Sequence, residues 1–124
     1  MFLSDNIEGI GILRSEIPSE LQSWHKFGRI IEAHFAHDID EFGQDISNLD
    51  LLLSDADKRY FIKMHLYNVR GKLSFDTHNG FASGLDIEDL SSTGCEKENR
   101  FHIFSFEMDS DHDLYCEKIS VFLL

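Results

Sequence analysis

The hydrophobic period of this chain changes midway: apolar residues recur at helical spacing in the first half and alternate in the second. Pro18-Ser19-Glu20 reads as a helix start, because proline suits the first turn; Leu21, Trp24, Phe27 or Gly28, and Ile31 follow at helical spacing. Asp38 or Asp40 reads as the cap of a second helix, whose face would carry Phe42, Ile46, Leu49 and Leu53 at offsets of 4, 3 and 4. Gly43 weakens that helix by roughly 1 kcal/mol against alanine, and a strand from Leu49 to Leu53 competes with it. Gly9 to Arg14 (GIGILR) reads as a short edge strand.

The second half reads as β. Tyr60, Ile62, Met64 and Leu66 share one parity, with Lys63 and His65 on the other, which predicts a half-buried strand from Tyr60 to Val69. Arg70-Gly71 reads as a short turn, after which Leu73 and Phe75 alternate with polar neighbours. His78-Asn79-Gly80 carries turn chemistry. Leu85 and Ile87 alternate with Asp86 and Glu88, and Ser91 to Asn99 forms a polar connection. Arg100 to Glu107 is β-prone through Phe101, Ile103, Phe104 and Phe106. The tip Asp109 to Asp113 leads into a last strand, Leu114 to Leu124, with Ile119, Val121 and Leu123 on one face. Short connections favour antiparallel hairpins. The expected fold is α+β: one or two N-terminal helices packed on an antiparallel β-sheet of about five strands, in a single domain over 1–124.

Composition supports a folded chain. With 124 residues, 42% apolar, 11 Phe and Pro18 as the single proline, it can bury a core and has no proline-rich linker. Trp24, Phe81 and Phe104 are candidate interface anchors, but burial preference favours the core for each. No signal-like or membrane-spanning apolar run is visible, so a cytoplasmic protein that does not engage membrane is expected. Net charge then narrows the partners. The formal charge is −12, and more than half of it lies between Gly84 and Lys118. Such a field repels nucleic acid and attracts basic proteins or cations.

The acids offer a candidate binding surface: Asp86, Glu88, Asp89, Glu96, Glu98, Asp109, Asp111 and Asp113. Asp109, Asp111 and Asp113 begin like a calcium loop. The glycine and bidentate glutamate such a loop needs are replaced by Leu114 and Ser120, so a solvated hairpin tip is expected. On a helix, His34 and His37 would lie one turn apart beside Asp38. The H-E-x-x-H spacing is missing, and ordinary charge pairing explains the cluster as well. Phosphate-loop, dinucleotide and nucleophile-elbow motifs are absent. Glu96 and Glu98 disfavour a Cys95 thiolate, and Cys116 sits in an apolar run as a small core residue. Neither an enzyme nor a metal or other cofactor is expected.

Three stretches carry a resemblance. They are A-H-F-A-H-D-I-D around His37 and Asp38, the strand pair from Ile62 to Phe75, and Leu85 to Glu107 followed by L-Y-C-E-K-I-S-V. In these the chain resembles the small acidic immunity proteins of bacterial polymorphic and contact-dependent toxin systems. The resemblance implies a binder without catalytic residues that neutralises a cognate toxin domain, basic and in many cases a nuclease. Acidic modules such as DNA mimics or anti-repressors are the alternative, and a small metal-dependent enzyme using His34, His37 and Asp38 is a third. Either a monomer or a homodimer fits the sequence, since Phe-rich edge strands can pair across a two-fold axis.

Overall fold

Strands form where apolar residues alternate. In the structure, a computed structural model describing residues 2, 4–27, 29–73, 85–94, 96–105 and 112–124, β1 spans Arg29–Ile39, β2 Asp45–Ser54 and β3 Phe61–Tyr67. Leu49, Leu51 and Leu53 of β2 and Ile62, Met64 and Leu66 of β3 all turn to one side, where they are buried. The two strands pair antiparallel, with Leu51 opposite Met64.

β4 covers Arg70–Leu73, β5 Leu85–Asp89, β6 Phe101–Ser105, β7 His112–Cys116 and β8 Lys118–Leu123. They complete two four-stranded antiparallel sheets, ordered β1-β2-β3-β8 and β4-β7-β6-β5. The first sheet contributes Leu49, Leu51, Leu53, Ile62, Met64, Leu66, Ile119 and Val121 to the core. The second contributes Ile87, Phe101, Ile103, Leu114 and Cys116 to the same cluster. The α+β class holds, and among the described residues the antiparallel strands form two four-stranded sheets where one sheet of about five was expected.

Two strands change sheet at the same level, and this sets the arrangement. The chain leaves the first sheet after Tyr67 and enters the second at Arg70. It returns between Cys116 and Lys118. Glu117 N–H donates to the Tyr67 carbonyl at 3.0 Å and Val69 N–H to that of Ser47 at 2.7 Å. Asn68, at φ 57°, donates its N–H to the Asn48 side-chain oxygen at 3.1 Å. Each crossing reverses the parity of the buried residues. Ile62, Met64 and Leu66 give way to Val69, and Leu114 and Cys116 give way to Ile119 and Val121. The expected Arg70-Gly71 turn is therefore corrected: the turn lies at Asn68-Val69, and Arg70 and Gly71 belong to β4.

The N-terminal third departs most from expectation. Gly9 to Arg14 is not an edge strand. The helix α1 spans Ile10–Glu16, because Ile10, Leu13 and Ile17 fall at helical offsets and are buried. The edge pairing lies just ahead of it, where Glu8 bridges Ser120 of β8 in parallel. The helix expected after Pro18 is reduced to two short 3₁₀ turns, Ser19–Leu21 and Trp24–Phe27. Gln22 interrupts it: its amide donates to the Arg14 and Ile17 carbonyls at 2.8 and 2.7 Å and closes the end of α1. Trp24 and Phe27 are buried against Phe2, with ring centroids 4.5 and 6.1 Å away.

The second expected helix is the β1–β2 hairpin, and the competing strand from Leu49 to Leu53 lies within β2. Asp40 caps a turn, its carboxylate accepting the N–H groups of Phe42 and Gln44 at 2.9 Å each. Ile46 faces the opposite side from Leu49 and Leu53, so the offsets of 4, 3 and 4 coincide with no helical face. Phe75 and the loop His78-Asn79-Gly80 lie outside the described residues. No helix among the described residues is long and apolar enough to cross a membrane.

Gly71 and Gly43 separate two costs of replacing glycine. Both have positive φ, 117° and 77°. A Cβ on Gly43 meets open space, whereas one on Gly71 runs into the Asp113 backbone carbonyl. In urea unfolding, Gly43→Ala is expected to cost about 1 kcal/mol and Gly71→Ala clearly more, because β4 must move off β7. Equal losses would contradict the packing described at the crossing.

Candidate interaction face

The outer face of the second sheet gathers acids, aromatics and one histidine. Inward-pointing Ile87, Ile103 and Leu114 leave their strand neighbours pointing outward. Register then builds two rows. Glu88, His102, Tyr115 and Arg70 lie side by side across β5, β6, β7 and β4, and Asp86, Phe104, Asp113 and Lys72 form the next row.

His102 organises the face. Its Nε2 lies 2.6 Å from Asp113 Oδ1 and its Nδ1 lies 3.5 Å from Glu88 Oε1. Its ring stacks on Tyr115 at 4.5 Å, 9° from parallel, and on Phe104 at 5.0 Å. The imidazole is shielded at 20% exposure, while the Glu88 and Asp113 side chains stay 56% and 59% exposed. The carboxylates are thus held in place from one side and open on the other. Fixed charges beside a packed aromatic patch suit protein recognition, because little side-chain freedom remains to be lost on docking.

Three of the eight predicted acids, Asp86, Glu88 and Asp113, therefore come together. Asp89 faces the other side of β5 and is engaged internally. Its carboxylate accepts Ser4 Oγ–H at 2.7 Å, the Asn6 amide at 2.6 Å and Ser91 N–H at 2.9 Å. Burial pushes the Asp89 pKa up, but the bonds from Ser91, Ser4 and Asn6 outweigh burial and hold it well below the ordinary carboxylate range. Asp89 fastens the N-terminal segment to the end of β5. Glu96 and Glu98 lie in the connection around the 3₁₀ turn Lys97–Asn99, off the strands of this face. Asp109 and Asp111 lie outside the described residues. The calcium-loop start does not extend to Asp113, which lies in β7 against His102.

Arg70 and Lys72 were not among the sequence candidates. They are distant in sequence from the acidic half, and only the β4–β7 pairing brings them to the basic edge of this face. The parity reversal at Asn68 was the signal available in the sequence.

The histidine cluster does not assemble. On β1, three residues apart means opposite faces, so His34 and His37 point apart. His34 lies 3.7 Å from Glu32; His37 contacts Ser47 Oγ at 3.3 Å and Phe35 edge-on. Among the described residues, no three His, Cys, Asp or Glu side chains are placed to hold a metal ion.

Two further groups bear on catalysis. Burial, aided by Glu117, pushes the Cys116 thiol up to about 12, so it is an inert core residue. Cys95 lies outside the described residues. On the outer face of the first sheet, Ser120, His65 and Asp50 occupy one cross-strand row, with His65 Nδ1 2.5 Å from Asp50. The Ser120 hydroxyl donates instead to Glu8 at 3.2 Å, and the adjoining hollow of about 280 Å³ is lined by Glu32, His34, Asp50 and Lys63 without Ser120. That row lacks the serine–imidazole bond that nucleophile activation requires.

Asp89 gives a pH-dependent prediction. A carboxyl with a lowered folded pKa contributes stability that is fully present above its unfolded value, near 4, and is lost as pH falls through the folded value. Asp89→Asn is expected to cost about 1–2 kcal/mol at pH 7, the low end for bonds to a charged group that is only part-buried. The gap to the parent chain should narrow as unfolding is followed from pH 5 towards pH 2. A gap that is constant with pH would contradict the assignment.

Comparison with known proteins finds no matching family model, no matching curated protein and no matching solved structure.

Proposed function

We propose that this protein is an immunity-type inhibitor that binds and neutralises a cognate basic toxin domain in the cytoplasm. It acts as a binder rather than an enzyme and needs no cofactor. The observation that carries this reading is the convergence of Asp86, Glu88 and Asp113 around the His102–Tyr115–Phe104 stack, on a chain of net charge −12. The resemblance of the β stretches to acidic immunity proteins points the same way. On a nuclease-like toxin these carboxylates would stand where substrate phosphates sit. The long-range field accelerates encounter, and the aromatic patch supplies the short-range contact. An anti-repressor or DNA mimic would use the same face on a different basic partner.

The test is a binding titration against the C-terminal domain encoded by the gene directly upstream, at two salt concentrations. The parent chain is expected to bind tightly, and less tightly at the higher salt. The double replacement Asp86→Lys and Glu88→Lys should slow association at least about tenfold while leaving the fold intact. Absence of binding by a folded upstream domain would sink the toxin reading. Binding indifferent to the charge reversal would remove this face from it.

A further inference from the structure

We propose that β1 is a homodimerisation edge, pairing antiparallel with β1 of a second copy about a two-fold axis at Ala36 and joining the two first sheets into one. This inference is independent of the toxin reading, since it concerns the edge of the first sheet and uses none of the residues of the His102 face.

The two edges of the first sheet are treated differently. At β8 the N-terminal segment covers the edge: Glu8 N–H donates to the Ile119 carbonyl at 3.0 Å, and Val121 N–H to the Glu8 carbonyl at 2.8 Å. At β1, among the described residues, no strand pairs with the outer edge. Isolated edges are normally protected by charged side chains, lysine above all, by proline or by bulges, and Asp38 is the one carboxylate on this stretch of β1. From Ala33 to Ile39 β1 has no lysine, proline or bulge, its single irregularity lying earlier, between Ile30 and Glu32.

Hydrogen-bond phase shows which groups are open. Asp40 N–H donates to the Gln44 carbonyl at 2.9 Å, so the Asp40 amide points at the neighbouring strand. Alternation in an antiparallel pair then directs Asp38, Ala36 and His34 towards β2. The N–H and C=O groups of Ala33, Phe35, His37 and Ile39 point to the open edge. Their side chains continue the core face of the first sheet beyond Leu49 and Leu51. Phe35 is 62% exposed although Leu49, its neighbour in the row, is 2% exposed. Beneath Phe35 a hollow of about 460 Å³ opens between Ala33, Leu49, Val69 and Leu114.

Residue chemistry selects a second copy as the occupant. A two-fold axis at Ala36 sets His34 against Asp38 of the other copy, twice, on the outer face. On the inner face it sets Phe35 against His37, an aromatic pair of the kind already seen within one chain. It also sets Ala33 against Ile39, so a large apolar side chain meets a small one at the mouth of the hollow. Moving the axis to Phe35 would oppose Glu32 and Asp38 twice, which like charges disfavour. Moving it to His37 would shorten the paired segment to Phe35–Ile39. Within the regular stretch that follows the irregularity, Glu32 to Ile39, the Ala36 axis gives the longest paired segment that opposes no two acids.

Two measurements test this. In sedimentation equilibrium across micromolar concentrations, the chain is expected to reach twice its 14.3 kDa mass. Phe35→Lys, at an exposed position that should leave the unfolding midpoint unchanged, should weaken association at least about tenfold. In a chain with Cys95→Ser, Ala36→Cys should cross-link under mild oxidation, because directly opposed residues of a non-hydrogen-bonded pair lie about 4.5 Å apart at Cα, within disulfide reach. A monomer at every concentration would overturn the proposal. So would cross-linking through Phe35→Cys but not Ala36→Cys, or occupation of β1 by the toxin domain instead of a second copy.

Discussion

The structure depends on a paired crossing. β3 and β8 run side by side in the first sheet, and their continuations β4 and β7 run side by side in the second. Both strands bend at one level, tied by the Glu117–Tyr67 and Val69–Ser47 backbone bonds and by the Asn68 amide on Asn48. Because the strands cross as a pair, no backbone group of the ladder is left unpaired by only one of them turning. The parity reversal at each crossing lets one continuous core serve both sheets. Everything functional in this account is positioned by that bend.

On one side of the bend, the second sheet turns its outer face to solvent and brings β4 bases beside β5 and β7 acids. On the other side, Phe35 and Ile39 of β1 are exposed although they lie on the core face of the first sheet. The two surfaces differ in physical character. The His102 face is charged and packed, suited to steering a basic partner and then holding it. The β1 edge is a strip of open backbone groups with apolar side chains, suited to continuing a sheet. A dimer through β1 would leave both His102 faces free and present two of them at once, which multiplies effective binding where targets are paired or clustered.

Much of the second half was legible in the sequence, because alternation is a strong signal where one face is buried. Tyr60 to Val69 and Arg100 to Glu107 each contain a strand of the structure, and the alternation from Leu85 to Glu88 lies within β5. The split of Leu114 to Leu124 was not read, since no glycine or proline marks Glu117; only the move of buried positions from even to odd numbers records it. The first half misled for physical reasons. Asp40 and Gly43 are turn residues whose chemistry also suits helix ends. Leu51, passed over in a helical count, completes the period-two series Leu49, Leu51 and Leu53. The N-terminal Ile10, Leu13 and Ile17 carried a helical spacing that the GIGILR run concealed. For the site, alternation was enough to put Asp86 and Glu88 on one face. The addition of Asp113, His102 and the two bases needed strand order, which is a long-range property that local pattern does not encode.

The most direct test of the central claim, that the His102 face is the docking surface, is amide chemical-shift mapping of the labelled protein as the proposed partner, the C-terminal domain encoded by the gene directly upstream, is added. The largest changes are expected at Glu88, His102, Phe104 and Tyr115, with α1 and residues 33–39 of β1 little affected. Changes confined to α1 or β1, with the second sheet unperturbed, would contradict it.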